Sequence, residues 1–477
     1  VVTAAVVAVA LLAALAAGAG IGVRGIVAAH VAVDEVQYLL TALSLAEDGN
    51  LDIADELAEQ RWRPFADESP PVQTSVRPDG SQVSPHDPLL PLLLAVPMGL
   101  GGWVAAKAAL ALLAGLLAGL TLWVAVRRFA VPLPLAATGV ALAAASAPLA
   151  VYGQQVYPEL PAALAALAGV AALTGPLRRG SLVVLAASVV ALPWLSVKYT
   201  AVAAVLAVLG ALRWWRAGRH REVVAFGTGL AALGAGYLAV HRAVWGGWTV
   251  YASGDYFERT GELSVVGTSP DYAGRALRLV GLLTDRDFGL VAWQPAWLLV
   301  VPALAALTIR VPRGLPALGL PALAGPLAAG WLTATFVALT MHGYWWPGRQ
   351  VVVVLPLALL VVLCWLARSG PRLRAVAAAM AAAGVLTYGW LLADGYARAV
   401  TWVSGFAEVG APTSRLLRPL LPDYRGDFWF HHLAWIAVLV LLAVLARQAA
   451  RRDPDPPGGS APHPVAVPTP SQEGTPR

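Results

Sequence analysis

Stretches of apolar residues long enough to cross a membrane recur along the whole of this 477-residue chain, and no other feature limits its fold so strongly. A hydrocarbon layer of about 30 Å is spanned by roughly 20 helical residues. Lipid offers no partners to free backbone N–H and C=O groups, so such stretches cross as helices. Charged residues make up 13% of the chain, about half the share usual in a soluble domain, which excludes an ordinary cytosolic enzyme. The fold class is therefore an all-α polytopic membrane protein. Its one cysteine, Cys364, lies inside an apolar run, which excludes a disulfide framework and a cysteine-built zinc site. The formal charge of +6 is carried by short basic clusters between the runs, a pattern of membrane orientation and not of nucleic-acid binding.

Those clusters are Arg127–Arg128, Arg178–Arg179, Arg213 to Arg221, Arg310–Arg313, Arg368 to Arg374 and Arg447 to Arg452. Placing all six in the cytoplasm requires two crossings between each and the next. The runs Trp103–Val126, Pro132–Val151, Pro158–Leu177, Leu182–Leu195, Tyr199–Leu212 and Val223–Val240 meet that demand in the first half. Leu290–Thr308, Leu315–Leu339, Val351–Leu366, Ala375–Leu392 and Leu433–Leu445 meet it in the second. With a first span at Val2–Val23, about twelve crossings are expected; Pro193 divides a short pair, so counts from ten to thirteen also fit. Val2–Val23 lacks a basic leader and is long for a signal core, so it reads as an uncleaved span. Residues 1–452 form the membrane domain. The tail 453–477 is Pro-rich and reads as disordered in the cytoplasm. The parity leaves outside the loop 34–98, the turns Tyr152–Tyr157 and His342–Arg349, and the segments Trp245–Asp287 and Asp394–His432.

The first outer loop carries twelve acids between Asp34 and Asp87 against three arginines, Arg61, Arg63 and Arg77. Val36, Leu39, Leu40 and Leu43 follow the i, i+3, i+4, i+7 spacing of one helical stripe, with Asp34, Gln37, Tyr38 and Thr41 on the other side. Such a helix is expected to rest its apolar stripe in the membrane interface and turn its polar side to water. Gly49-Asn50 ends it. Asp34 and Glu35 occupy its first turn, where the helix dipole favours a carboxylate. Two readings follow, a simple cap or a general base at the membrane surface, and the spacing does not choose between them. His86-Asp87-Pro88 then opens a short stretch, Leu89 to Met98, broken by Pro91 and Pro97 and too short to span. It reads as a second interfacial or re-entrant helix before the span at Trp103.

These stretches resemble a known family. "VDEVQYLLTALSLAEDGNL" and "HDPLLPLLLAVPMGLGGWVAAKAALALLAGL", with Lys107 at a basic position, are similar to the region after the first span in the GT-C superfamily of membrane glycosyltransferases. "YGQQVYPELPAALAAL", "LLTDRDFGLVAWQPAWLLVVPALAAL" and "HGYWWPGRQVVVVLPLALLV" resemble later elements of the same family, in the same order. Protein mannosyltransferases, lipid A aminoarabinose transferases and actinobacterial arabinosyltransferases are members. His86-Asp87 departs from the family's Lys-Pro or His-Pro, and Trp345-Trp346 is followed by Pro347 rather than by the Asp of oligosaccharyltransferases.

The resemblance implies a GT-C-like fold, a polyprenyl-phosphate-sugar donor carrying mannose or an arabinose-type sugar, and a glycan, lipid or protein acceptor. It implies a multi-pass protein of a bacterial, actinobacterial plasma membrane, with its site on the extracytoplasmic side. Asp34 becomes the general base for one-step inversion, facing an outward cavity joined to a cleft for the isoprenoid tail. Glu35 orients Asp34, binds a divalent cation or, the first choice, is simply solvated. Lys198 and Arg349, with His342, are candidates for the donor phosphate. The rival readings are a snorkelling lysine and an interfacial Trp/Arg anchor. Tyr38, His86 and Asp87 are substrate-site candidates. His86 and Asp87 alone do not define a metal site, and no cofactor is required, a divalent cation remaining an option. Glu159 is explained as a first-turn acid. Trp245, Trp248 and Tyr251 read as belt aromatics or sugar platforms, and His431 and His432 as interface residues. A secondary transporter and a lipid-linked-glycan flippase are the rival functions. The ionisable residues collect at one surface and the halves do not match, which disfavours transport.

Overall fold

A computed structural model describes residues 1–71, 73–74, 76–250, 272–309, 318–338, 340–341 and 343–452. Among them the chain is helical with no strand beyond isolated bridges. The tail 453–477, His342 and Tyr251 lie outside the described residues.

The helices fall on the apolar runs. The ones that concern the site and its frame are, in chain order, α1 (Val2–Gly18), α2 (Val33–Glu47), α3 (Ala54–Ala58), α4 (Leu89–Arg127), α5 (Leu133–Ala144), α6 (Leu149–Tyr152), α7 (Glu159–Leu173) and α8 (Arg179–Leu195). The second half continues with α9 (Thr200–Arg216), α10 (His220–Trp245), α11 (Val300–Ile309), α12 (Gly319–Leu332), α13 (Leu355–Leu366), α14 (Pro371–Tyr396) and α15 (Trp429–Arg452). Seven helical segments are long and apolar enough to cross a membrane, and five further apolar helices have 10–17 residues. The chain is a multi-pass membrane protein. The helices of the C-terminal half include the most and the least sheltered: Arg349–Leu366 is almost wholly buried by its neighbours, while Trp429–Arg452 exposes nearly all of its apolar surface to the surroundings.

In the first outer loop Leu89 to Met98 is helical, as the run suggests, and non-helical backbone at Gly101-Gly102 divides it from the span that follows. Gly102 takes φ +64, which a residue with a Cβ rarely adopts, so the pair makes the hinge. One expectation for that loop comes out differently: helix α2 does not lie in the interface with a wet polar side. Gln37, Tyr38, Thr41 and Ser44 are as buried as Val36, Leu39, Leu40 and Leu43. One side of α2 packs on α4. The rest of the loop folds back over it, with Ser44 Oγ donating to the Asp52 carbonyl at 2.6 Å and Ile53, Trp62 and Phe65 joining the same core. The polar residues of α2 thus face protein: the Thr41 and Ser44 hydroxyls are hydrogen-bonded, while the buried amide of Gln37 has no partner among the described residues.

Helix α7 lies against α4, α8, α9 and the 3-10 segment Arg349–Val354. Beside that segment Trp346 sits in an aromatic nest, its ring centroid 4.9 Å from Trp293, 5.3 Å from Phe406 and 5.6 Å from Trp402. Tyr152, at the end of α6, donates its hydroxyl to the Trp346 carbonyl. These contacts fix the entry to Arg349.

Candidate active site

Four charged side chains from four distant parts of the sequence meet in one chain of ion pairs. Asp34 Oδ2 accepts from Arg349 Nη1 at 2.8 Å, and Arg349 Nε donates to Glu159 Oε1 at 2.9 Å. The same Glu159 oxygen accepts from Lys198 Nζ at 2.6 Å, and Lys198 also donates to Gln350 Oε1 at 2.8 Å. Gln73 Nε2 reaches Asp34 Oδ1 at 3.0 Å. The guanidinium of Arg349 lies 3.9 Å over the Tyr157 ring and 5.0 Å from that of Trp345. Two cations face two anions, so the group is balanced, as buried charges must be.

Each member is carried by a local device. Arg349 opens a 3-10 turn behind Gly348, whose φ of +81 bends the chain where a Cβ would also meet Leu290 Cδ2 at 2.9 Å. Glu159 follows Pro158 at the first turn of α7, and Lys198 lies in the 3-10 turn between α8 and α9. Asp34 is held through its neighbour. Glu35 Oε2 accepts from the Ala32 N–H at 2.6 Å, closing a box at the helix start, and its Oε1 accepts from the Val156 N–H at 2.7 Å. Lys107 Nζ lies 3.8 Å from that oxygen and donates to the His30 carbonyl and to Gln154 Oε1.

The acid pair therefore divides. The expectation that Glu35 is solvated is corrected: none of its side chain is exposed, because helix start, turn and Lys107 enclose it. Asp34 is neither sealed nor free, with 19% of its side chain exposed and a donor on each oxygen. Burial pushes the Asp34 carboxyl up, but the charge and hydrogen bond of Arg349, with Gln73, win and hold it at about 2.

Lys198 does not snorkel, since it turns to Glu159 and Gln350. Arg349 is not turned to the surroundings as an interfacial anchor would be, because its Nη1 and Nε donate to the carboxylates of Asp34 and Glu159 and only 7% of its side chain is exposed. Glu159 is the first-turn acid the sequence indicates, and it is also the hub that holds both cations. His86 packs on Tyr38, ring centroids 4.5 Å apart, with Nδ1 2.9 Å from Ser84 Oγ. Burial brings its imidazole down to about 4, Asp34 opposing and Arg349 and Lys198 adding to the fall. Asp87 points elsewhere, accepting from the Val197 N–H at 3.1 Å and from Tyr237 at 3.3 Å, with His241 Nε2 at 3.1 Å. Burial pushes its carboxyl up against those donors. The Asp87 bond fixes the backbone one residue before Lys198, and nothing in the sequence pattern pairs it with His241. Trp245 is a core residue, its Nε1 donating to the Ser84 carbonyl at 2.9 Å, while Trp248 is exposed. His432 is buried beside Tyr424.

Two apolar cavities lie within the helix bundle. The larger of the two lies between α5, α13, α14 and the turn before α11 and is lined by Leu135, Trp297 and Leu363 among others. Neither cavity is lined by Asp34, Glu159, Lys198 or Arg349.

A helical, multi-pass membrane bundle with a balanced ion-pair chain between its helix ends is what fold and site define. By fold the chain is similar to ArnT from Cupriavidus metallidurans, whose crystal structure has undecaprenyl phosphate bound. The identity is 16% over 93% of this chain and 75% of that one, with a TM-score of 0.52, and the likeness is one of fold. No protein-family model matches the sequence, and no curated protein matches it.

Proposed function

We propose that the protein is an integral-membrane glycosyltransferase of the GT-C type. It transfers a mannose- or arabinose-type sugar from a polyprenyl-phosphate donor to an extracytoplasmic acceptor, with inversion and with Asp34 as general base. The observation that carries the reading is the Asp34–Arg349–Glu159–Lys198 chain, which sets a carboxylate beside two cations. The fold shared with ArnT, a protein solved with undecaprenyl phosphate, supports the donor class. We take the five shorter apolar helices as crossings beside the seven long ones, and that reading, with the arginine clusters in the cytoplasm, supports an outward-facing site at a bacterial plasma membrane.

The residues divide the work as follows. Arg349 grips the donor phosphate through its fork and Lys198 meets it as a compact charge. Glu159 keeps the two cations at one place in the donor's absence. The phosphate competes with Asp34 for Arg349 Nη1, and the carboxylate released from that pair turns to the acceptor hydroxyl. The acceptor oxygen bonds to the anomeric carbon on the face opposite the phosphate as the C–O bond to phosphate breaks. The hydroxyl proton passes to Asp34 late in the step, and the polyprenyl phosphate leaves with the bonding pair. A phosphate is a good leaving anion and requires no protein acid. Glu35 acts as a positioning residue, tying the start of α2 to the turn 152–157.

The test is transfer from labelled polyprenyl-phosphate mannose or arabinose to membrane lipid acceptors by the purified protein and by Asp34→Asn. Wild-type transfer that falls by orders of magnitude in the variant supports the reading. Equal turnover in both removes Asp34 as base, and binding without any transfer favours a flippase.

A further inference from the structure

At the far end of α2 from Asp34, a second group of acids stands without a cation. Asp48 caps the C-terminus of α2, and Asp55 and Glu56 lie on α3. One carboxylate oxygen from each lies within 4.8 Å of the others. Two oxygens bound to one calcium ion at about 2.4 Å are at most about 4.8 Å apart, so the spacing is that of ligands around a shared ion. Glu56 adds an independent observation. Only 3% of it is exposed, and its Oε2 is shut off from solvent with no hydrogen-bond partner. A buried, unpartnered carboxylate oxygen is costly unless a cation or proton meets it.

The surroundings favour a cation. The C-terminus of α2 carries the negative end of the helix dipole, yet Glu47 and Asp48 stand there and no basic residue lies in the last turn. Arg61, whose backbone N–H donates to the Glu56 carbonyl, commits its guanidinium elsewhere, bound to Glu47 at 2.7 Å and beside Glu59 at 3.8 Å. Among the described residues no ion pair reaches Asp48, Asp55 or Glu56.

We propose that Asp48, Asp55 and Glu56 form a divalent-cation site, for calcium in preference to magnesium, that clamps the end of α2 to α3. Asp48 and Asp55 are exposed and leave room for waters to complete the six to eight oxygens calcium takes. Magnesium demands tighter octahedral geometry and keeps its own water, which suits a site of three carboxylates on two elements less well. The site lies roughly 20 Å along α2 from Asp34, at 1.5 Å per residue, so it takes no part in chemistry there. It steadies the helix whose other end carries that carboxylate, and it stands whether or not the chain transfers sugars.

The experiment uses the full chain in nanodiscs, stripped with a chelator and titrated with radiolabelled calcium while tryptophan fluorescence follows thermal unfolding. One calcium per chain and a rise of several degrees in unfolding temperature are expected, with a smaller rise for magnesium. Glu56→Gln and, separately, Asp55→Asn are expected to weaken calcium binding at least tenfold and to lose the shift. Asp34→Asn is expected to keep both. A wild type that binds no calcium, or a shift of equal size in Glu56→Gln and Asp55→Asn, overturns the proposal. In the first case Glu56 is a buried acid sharing a proton with Asp55.

Discussion

Replacing Glu159 with Gln tests whether one buried carboxylate holds the two cations of the site. The change keeps size and shape and removes one negative charge. Glu159 has no exposed side-chain surface, and one of its oxygens receives both Lys198 at 2.6 Å and Arg349 at 2.9 Å. Without it the group shifts from balance to one excess positive charge, with Arg349 only 7% and Lys198 14% exposed. Removing one partner of a buried pair costs about 3–5 kcal/mol, chiefly because the other charge stays buried and uncompensated. The unfolding temperature in nanodiscs is therefore expected to fall by several degrees. A ligand that supplies the missing negative charge must restore much of the loss. Undecaprenyl phosphate, added at the same concentration to both proteins, is expected to raise the variant's unfolding temperature more than the wild type's, since binding to the folded state stabilises it by mass action. Turnover falls while the apparent affinity for the donor is kept or tightened. An equal or smaller lipid-phosphate shift in Glu159→Gln, or weaker donor binding, refutes the assignment of Arg349 and Lys198 to the phosphate.

Three further outcomes are expected. Asp34→Asn lowers the transfer rate by about 10²–10⁴, the usual worth of a positioned general base, while lipid-phosphate binding by fluorescence or calorimetry persists. Acid stability is the second. Asp34 is held at about 2 against an ordinary 3.8, and His86 at about 4 against 6.5, so at these two groups the unfolded chain binds more protons and their share of stability rises with pH. The share of Asp34 is present above about pH 4 and is lost toward 2, and that of His86 is lost between 6.5 and 4. The unfolding temperature of the wild type relative to His86→Gln is thus expected to rise with pH from 4 to 6.5, and an equal pH dependence in both proteins refutes the assignment. Third, Gly348→Ala forces a Cβ into a φ of +81 and to 2.9 Å from Leu290 Cδ2. It is expected to displace Arg349, cost at least about 1–2 kcal/mol of stability, and reduce transfer well beyond what that loss explains.

The apolar runs are legible because lipid imposes one solution on them, and helices stand on all of them, α4 and the short helix before its kink included. The polar side of α2 is not legible in the same way. An i, i+3, i+4 stripe says which side is greasy, but whether the other side meets water depends on a loop folding back from Ile53 to Val83. Glu159 was open to a sufficient local explanation, since a first-turn acid after Pro158 has reason enough to be there. A sharper signal was present. The chain has two lysines, Lys107 and Lys198, among 33 basic residues, and both sit in apolar surroundings. Each faces a buried glutamate, Glu35 and Glu159. A compact ammonium chosen twice where arginine is the general cation marks places with room for one point charge. The pairing of Asp87 with His241 spans more than 150 positions, and no periodicity carries it.

A carboxylate bound to arginine at rest is a weak base, which at first sight argues against Asp34. On the sugar-transfer reading the weakness belongs to the resting state. Restoring the Asp34 carboxyl from about 2 to an ordinary 3.8 returns about 2.4 kcal/mol of proton affinity, close to a sixtyfold gain. On that reading the event that restores it is the arrival of a phosphate at Arg349 Nη1, the same atom that binds Asp34 Oδ2. One donor atom thus connects occupancy by the donor to the strength of the base. With the donor absent, Arg349 stays compensated by Asp34 and Glu159 in surroundings where an unpaired charge is expensive. On the proposed mechanism the bound phosphate takes over that compensation, and Asp34 is left beside the anomeric carbon with its affinity for a proton regained. The ion pair is then neither a structural ornament nor an obstacle, because it keeps a buried cation stable in the one state where the substrate is not there to do so.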